Sequence, residues 1–372
     1  MTVSTIEILR SVSSDQGVFK TLGAVELHRK ESGEISYSVG NSAVIFRAHL
    51  NGKWHLMKCY TSSSPYRKQI YGDKLLQSEL YIHSASGGKW IDILLEEWIE
   101  GCTLTEALSR RVTSPAHLSE DFDKLALKLL GEEWAHGDIT CDNIILDEQG
   151  ELHPIDFDAT FLPQFAGLQS VELGTQAFQH PARTIELFDR SMDDFSLALI
   201  STALSAMAHH AEFYERYSRS EGLLYDPYEI ITQQSAAYDA TLELFSKVGD
   251  PFSYLIAKML CSQNPTLPDL HKILRCKVEG IDLAAQPSTI FSHNTRWGYL
   301  NEFGREVIPP LFDSALNFSE GVAAVKIGST WHYIDSQAKV IFNGYGYTAL
   351  KSCKGGTGRG LREGQWCEIK IS

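Results

Sequence analysis

Residues 136–158 read HGDITCDNIILDEQGELHPIDFD, polar residues set around the short apolar run Ile144-Ile145-Leu146. A turn at Glu148-Gln149-Gly150, followed by Leu152 to Ile155, makes this run half of a small hairpin. Asp138 is followed five residues later by Asn143, and Asp156 comes thirteen residues after Asn143, on the far side of the hairpin. A hairpin between two polar residues returns the chain on itself, so Asn143 and Asp156 can face one ion. Oxygen ligands suit magnesium, which is held by one or two carboxylates while waters and phosphates complete the octahedron. Phosphoryl transfer asks in addition for a carboxylate near the attacking hydroxyl and a fixed cation on the phosphates. Taken alone, an Asp and an Asn at this spacing are more often turn residues that bond nearby backbone. The surroundings must decide between the two readings.

Upstream, SEDFDKLALKLLGEEW (119–134) places Phe122, Leu125, Ala126, Leu129 and Leu130 on one face of a helix. Residues 35–60 alternate on either side of Asn51-Gly52 and predict two or three antiparallel strands. Residues 71–86 read as a helix, and IDILLEEWIEG (91–101) as a buried strand ending at a glycine. Downstream, FSLALISTALSAMA (195–208) is apolar almost all round, which predicts a helix inside a helical subdomain, with further helices to about Arg275. After IDLAAQPST (281–289) the texture changes to short strands and turns. The expected class is α+β, with one domain over 1–280, divided at about 20–98 and 99–280, and a small all-β domain over 281–372.

The bulk properties narrow the function classes. With 372 residues, 43% of them apolar, the chain can fill the cores of two or three domains. A net charge of -14 disfavours non-specific binding of nucleic acid or anionic lipid, so neither nucleic acid nor membrane is an expected partner. No leader-like start and no apolar run of about 20 residues is present, making the cytoplasm the expected compartment. The seven cysteines are scattered without a C-x-x-C pair and read as reduced thiols, with no zinc site.

In this setting the chain resembles the protein-kinase-like superfamily, whose catalytic loop is H-R-D-x-x-x-x-N and whose metal segment is D-F-G. GTQAFQHPA (174–182) resembles the end of an activation segment, DDFSLAL (193–199) the start of the buried central helix, and KMLCSQNPTLPDL (258–270) a late-helix pattern. The resemblance implies a two-lobed fold with a β-rich N-lobe and a mainly helical C-lobe. It implies ATP and magnesium, with Asp138 as catalytic base, Asn143 and Asp156 as magnesium ligands, and Lys58 in HLMKCY as the strand lysine on the α/β-phosphates. It further implies Glu79 as the helical partner of Lys58, with Asp73 as rival, and a phosphate-covering turn at Gly40, Asn41 and Ser42. The adenine-facing hinge falls at Glu97 to Ile99. His136 is given a packing role, and Asp193 the bracing of the catalytic loop.

Four departures shape the expected chemistry. Gly137 stands where protein kinases carry arginine, the H-G-D form of small-molecule kinases such as aminoglycoside phosphotransferases, which predicts geometry set without a phosphorylated loop. Thr140 stands where they carry a lysine. The glycine-rich turn keeps only Gly40. The glutamate and arginine that pair across the family's C-lobe are Ala182 and Leu267, lost together. The acceptor is expected to be a protein serine or threonine, with a small-molecule hydroxyl or a pseudokinase scaffold as alternatives.

RWGYLNEFGREVIPPLFDSALNFSEGVAAVKIGSTWHYID closely resembles the WG repeat, with Trp297-Gly298, Pro309-Pro310, Phe318 and Gly321-Val322-Ala323 in place. A second copy begins at Trp331, 34 residues later, with His332 replacing its glycine, and fades after Phe342. One and a half copies bury little surface alone and must lean on the rest of the chain or on a protein partner. The basic tail 351–372 reads as a flexible arm or as a segment packed against acidic surface.

Overall fold

The computed structural model describes residues 3–14, 18–83, 87–279, 289–301 and 305–371. They form two compact units, Met1–Gly101 and Cys102–Ser372. Together they are a mixed α/β chain: an N-terminal sheet, a helical middle, and a C-terminal region of small antiparallel sheets. No helix among the described residues is long and apolar enough to cross a membrane.

The N-terminal unit is an antiparallel sheet ordered Glu26–Leu27, Ala43–Leu50, Lys53–Tyr60, Lys89–Glu97, Leu75–Ile82, with Tyr37–Val39 also paired to Ala43–Leu50. Asn51 and Gly52 both take positive φ, the turn that this dipeptide favours, and join the two central strands. Val44, Phe46, Ala48 and Leu50 alternate onto one face, where Ile8 of the helix Thr5–Val12 joins the same core. The helix expected over 71–86 is a correction. The helix there is only Arg67–Tyr71, a tight 3-10 turn spans Gly72–Lys74, and Leu75–Ile82 is an edge strand; residues 84–86 lie outside the described residues. A bulge between Leu76 and Leu80, with Ser78 at φ 52, breaks the strand's period of two, so its apolar residues take on helix-like spacing.

In the C-terminal unit the helix expected at 119–134 spans Pro115–Gly131. It starts a turn earlier because Ser114 accepts from the His117 N–H and Pro115 sits in the first turn. It packs on Asp194–His209, which is buried over nearly its whole length as its sequence predicts. The hairpin of the quoted stretch forms as Ile144–Asp147 and Leu152–Pro154.

The C-terminal strands form three small sheets: Thr289–His293 to Glu306–Phe312, Ser314–Ala315 to Val340–Asn343, and Ala349–Lys354 to Gln365–Lys370. The expected linker lies mainly in 280–288, outside the described residues. The first two sheets share one core with the helices, through Tyr299, Ile308, Phe312, Val325 and Ile334 against the cluster that holds Phe245 and Ile256. The tail is a three-stranded sheet, which corrects the flexible-arm reading. Its glycines serve close packing: a Cβ on Gly358 would lie 2.4 Å from the Tyr333 hydroxyl, and one on Gly360 2.4 Å from the Tyr347 ring.

Candidate functional site

The residues of HGDITCDN form a tightly fastened loop in the C-terminal unit. Asp193 precedes the central helix but does not cap it. Its carboxylate reaches back to accept from the N–H of His136 at 2.5 Å and of Gly137 at 2.8 Å. Burial pushes the Asp193 carboxyl pKa up, and His136 and the two N–H groups oppose that rise. His136 is itself fully buried. Its Nε2 donates to the Ile155 carbonyl at 2.9 Å, which leaves Nδ1 to accept from the Asp138 N–H at 3.3 Å. One imidazole therefore ties the loop to the segment that carries Asp156, and Phe157 packs on the ring at 4.9 Å.

Asp138 points its carboxylate at three donors from two residues. Oδ1 accepts from the Thr175 N–H at 2.6 Å, and Oδ2 from Asn143 Nδ2 at 3.2 Å and from the Thr175 hydroxyl at 3.4 Å. Asn143 Nδ2 also donates to the Asp138 carbonyl at 2.9 Å, so the amide is oriented and, among the described residues, its Oδ1 accepts no hydrogen bond. The Ile155 N–H donates to the Asn143 carbonyl at 2.9 Å, which sets Asp156 one residue beyond the residue bonded to Asn143. Asp156 takes φ 64 and ψ 70, a left-handed conformation that costs a non-glycine residue on the order of 1 kcal/mol. An oriented amide oxygen and a carboxylate at one end of a hairpin are the hard-oxygen donor set that magnesium takes, so the residues present fit that ion. At the other end of the hairpin, Asp147 accepts from Gln149 and Glu151 N–H and pairs with His153 at 2.6 Å, which fastens the turn.

The positions that differ from the expected pattern have defined surroundings. Gly137 has φ +85, and a Cβ there would lie 2.3 Å from the Ala159 carbonyl oxygen, so no side chain fits. Thr140 is buried and its hydroxyl accepts from the Asn143 N–H at 3.0 Å, so it fastens the loop. The backbone at Ala182 and Leu267 is held by nearby side chains, and the Ala182 N–H donates to His180 Nδ1 at 3.0 Å. His180 Nε2 donates to the Ser262 carbonyl at 3.0 Å, and Asp194 accepts from the Leu267 N–H at 2.8 Å. Burial raises the Asp194 pKa to about 7, against the pull of that N–H.

Thr175 lies in the stretch GTQAFQHPA singled out from the sequence, and sequence reasoning missed two residues near Asp138, Gln179 and Arg183. The Arg183 guanidinium is buried, donates from Nη1 to the Gly137 carbonyl at 3.0 Å and to Gln179 Oε1, and sits in the field of Asp193, Asp138 and Glu172. Burial lowers its pKa and those three carboxylates oppose the change. The only signal in the sequence is its place just after His180-Pro181-Ala182.

The remaining expected site residues belong to the N-terminal unit. Lys58 lies in the central strand opposite Ile45 and Leu94, is 5% exposed, and sits 5.5 Å from the Tyr60 ring. Gly40, Asn41 and Ser42 form the tip between two strands, closed by the Gly40 N–H on the Ala43 carbonyl. Glu97 ends its strand and pairs with Lys53 at 2.9 Å, and Ile99 is exposed just beyond. Glu79 is corrected from a helix to the bulged edge strand. Its carboxylate accepts from Thr21 N–H, Thr21 hydroxyl and Leu22 N–H, all at 2.7 Å. The rival Asp73 lies 3.7 Å from Lys68.

In the C-terminal sheets the Trp-Gly dipeptide has a steric basis. A Cβ on Gly298 would lie 2.5 Å from the Ile308 carbonyl oxygen, so glycine lets the strand with Pro309-Pro310 close in. Tyr299 meets Phe318 edge-on at 4.7 Å and donates to the Leu316 carbonyl at 2.7 Å. Residues 297–331 match the family model of the WG containing repeat. No curated protein matches the chain. Beyond the matched residues, the His332 ring is turned onto the helical region, with Nε2 donating to the Ser246 carbonyl at 2.9 Å. The Ser246 hydroxyl in turn donates to the Ile327 carbonyl at 2.7 Å.

Proposed function

We propose that the chain is an ATP- and magnesium-dependent phosphotransferase with a two-lobed protein-kinase-like fold, acting on a protein serine or threonine hydroxyl. The observation that carries this reading is the fixed Asp138 carboxylate, held between Thr175 and Asn143 on a loop that His136 and Asp193 fasten from behind. A carboxylate so placed orients an acceptor hydroxyl and takes its proton, a contribution of about 10²- to 10⁴-fold in rate. Asn143 and Asp156 would hold magnesium, and Lys58 would steady the α/β-phosphates. Bound magnesium supplies charge neutralisation on the transferred phosphoryl group. The Thr175 contact to Asp138 favours a protein acceptor, since GTQAFQHPA is the stretch most like a protein kinase's activation segment.

A small-molecule acceptor is the second reading. It is favoured by Thr140, which caps Asn143 where protein kinases present a lysine. The pseudokinase reading is weakened by the care with which the Asp138 carboxylate is held. The WG repeat's buried face is taken up by the helices, which supports a bracing role for it. The test supplies labelled ATP and magnesium with protein and metabolite pools, beside Asp156→Ala. Label on protein that vanishes in the variant supports the first reading, label on a metabolite the second, and no label from wild type refutes both.

A further inference from the structure

Position 137 is closed to any side chain, yet a guanidinium still reaches its carbonyl. It comes from Arg183, which is 6% exposed, with Nη1 3.0 Å from the Gly137 oxygen. The same nitrogen donates to Gln179 Oε1, and Asp193, Asp138 and Glu172 surround the charge. Among the described residues Nε and Nη2 find no hydrogen-bond partner. Gly174 completes the contact: a Cβ there would lie 2.7 Å from the Gly137 oxygen, 2.9 Å from Asp138 Oδ1 and 3.0 Å from Gln179 Nε2. A buried cation that uses one of its nitrogens is a poor choice for stability, and an apolar side chain of similar length would fill the space at lower desolvation cost.

We propose that Arg183 is a positioning residue: its guanidinium takes the place of the missing loop arginine and locks the Gly137–Asp138 peptide to the 174–179 segment. The loop is thereby held by the sequence itself and needs no phosphorylated side chain. The proposal rests on the phosphotransferase reading above.

The test compares wild type with Arg183→Met and Arg183→Gly in the full chain. Magnesium-ATP turnover is followed as kcat and KM for ATP, together with melting temperature. Arg183→Met should lower kcat about 10- to 100-fold, the range expected when a reacting group is displaced by about 1 Å, with KM for ATP within about twofold of wild type. In Arg183→Gly, added guanidinium should restore part of kcat while methylammonium does not. An active wild type with Arg183→Met at undiminished kcat overturns the role of Arg183 alone. So does a loss of kcat and melting temperature together that guanidinium does not reverse in Arg183→Gly. A wild type that turns over no ATP overturns the phosphotransferase reading and this proposal with it.

Discussion

Acidification should loosen the seat of the second C-terminal β module through one side chain. His332 is fully buried, donates from Nε2 to the Ser246 carbonyl, and among the described residues offers Nδ1 no partner. Burial brings its pKa down from 6.5 to about 4, with the Ser246 bond acting in the opposite sense. Because the folded value is the lower one, the unfolded chain takes up a proton first. The stability is therefore fully present above pH 6.5 and is lost as pH falls from 6.5 toward 4. At 1.36 kcal/mol per pKa unit, the loss down to pH ~4.5 is about 3 kcal/mol. The assay is urea unfolding followed by far-UV circular dichroism between about pH 7.5 and 4.5, in wild type and in His332→Gln, which keeps an N–H donor and does not titrate. The stability difference, wild type minus variant, should fall by about 3 kcal/mol across that range. Parallel curves for the two proteins would refute the assignment of a buried neutral imidazole to this seat.

Gly137→Ala should cost about 2 kcal/mol or more and abolish turnover, because it places a side chain on a positive φ and against the Ala159 carbonyl; differential scanning calorimetry with a turnover assay checks it. Thr140→Ala should lower stability by about 1 kcal/mol through loss of the cap on Asn143, whereas Thr140→Ser should behave as wild type in the same scan. Glu79→Gln should destabilise the N-terminal unit by roughly 1–3 kcal/mol while turnover at low temperature survives, since its carboxylate is committed to Thr21 and Leu22. A folded Glu79→Gln protein without turnover would instead restore the lysine-partner role.

The hairpin between Asn143 and Asp156 and the buried helix 195–208 were legible because local turn chemistry and unbroken apolar periodicity each suffice to specify them. The strand Leu75–Ile82 was not, since a bulge at Ser78 erases the period-two signal and leaves a pattern that a helix would share. The tail misled for a related reason. Glycine in Thr357-Gly358-Arg359-Gly360 reads as flexibility, but the tyrosines that need its absent Cβ come from residues 333 and 347, too far away in sequence to be read with it. Of the candidate site, Asp138, Asn143, His136 and Asp193 fall together because they belong to two short motifs joined by carboxylate-to-backbone bonds. Arg183 could not be read, because its partners are a backbone carbonyl, which every residue has, and the uncharged side chain of Gln179. The same holds for Thr140, whose hydroxyl serves the Asn143 N–H.

The most direct measurement is transfer of the γ-phosphoryl group from labelled ATP, with magnesium present or chelated, by wild type, Asp138→Asn and Asp156→Ala at matched melting temperature. Transfer by wild type should require magnesium, fall about 10²- to 10⁴-fold in Asp138→Asn, and be lost in Asp156→Ala. Transfer that persists unchanged in Asp138→Asn, or no transfer from a folded wild type, would contradict this mechanism.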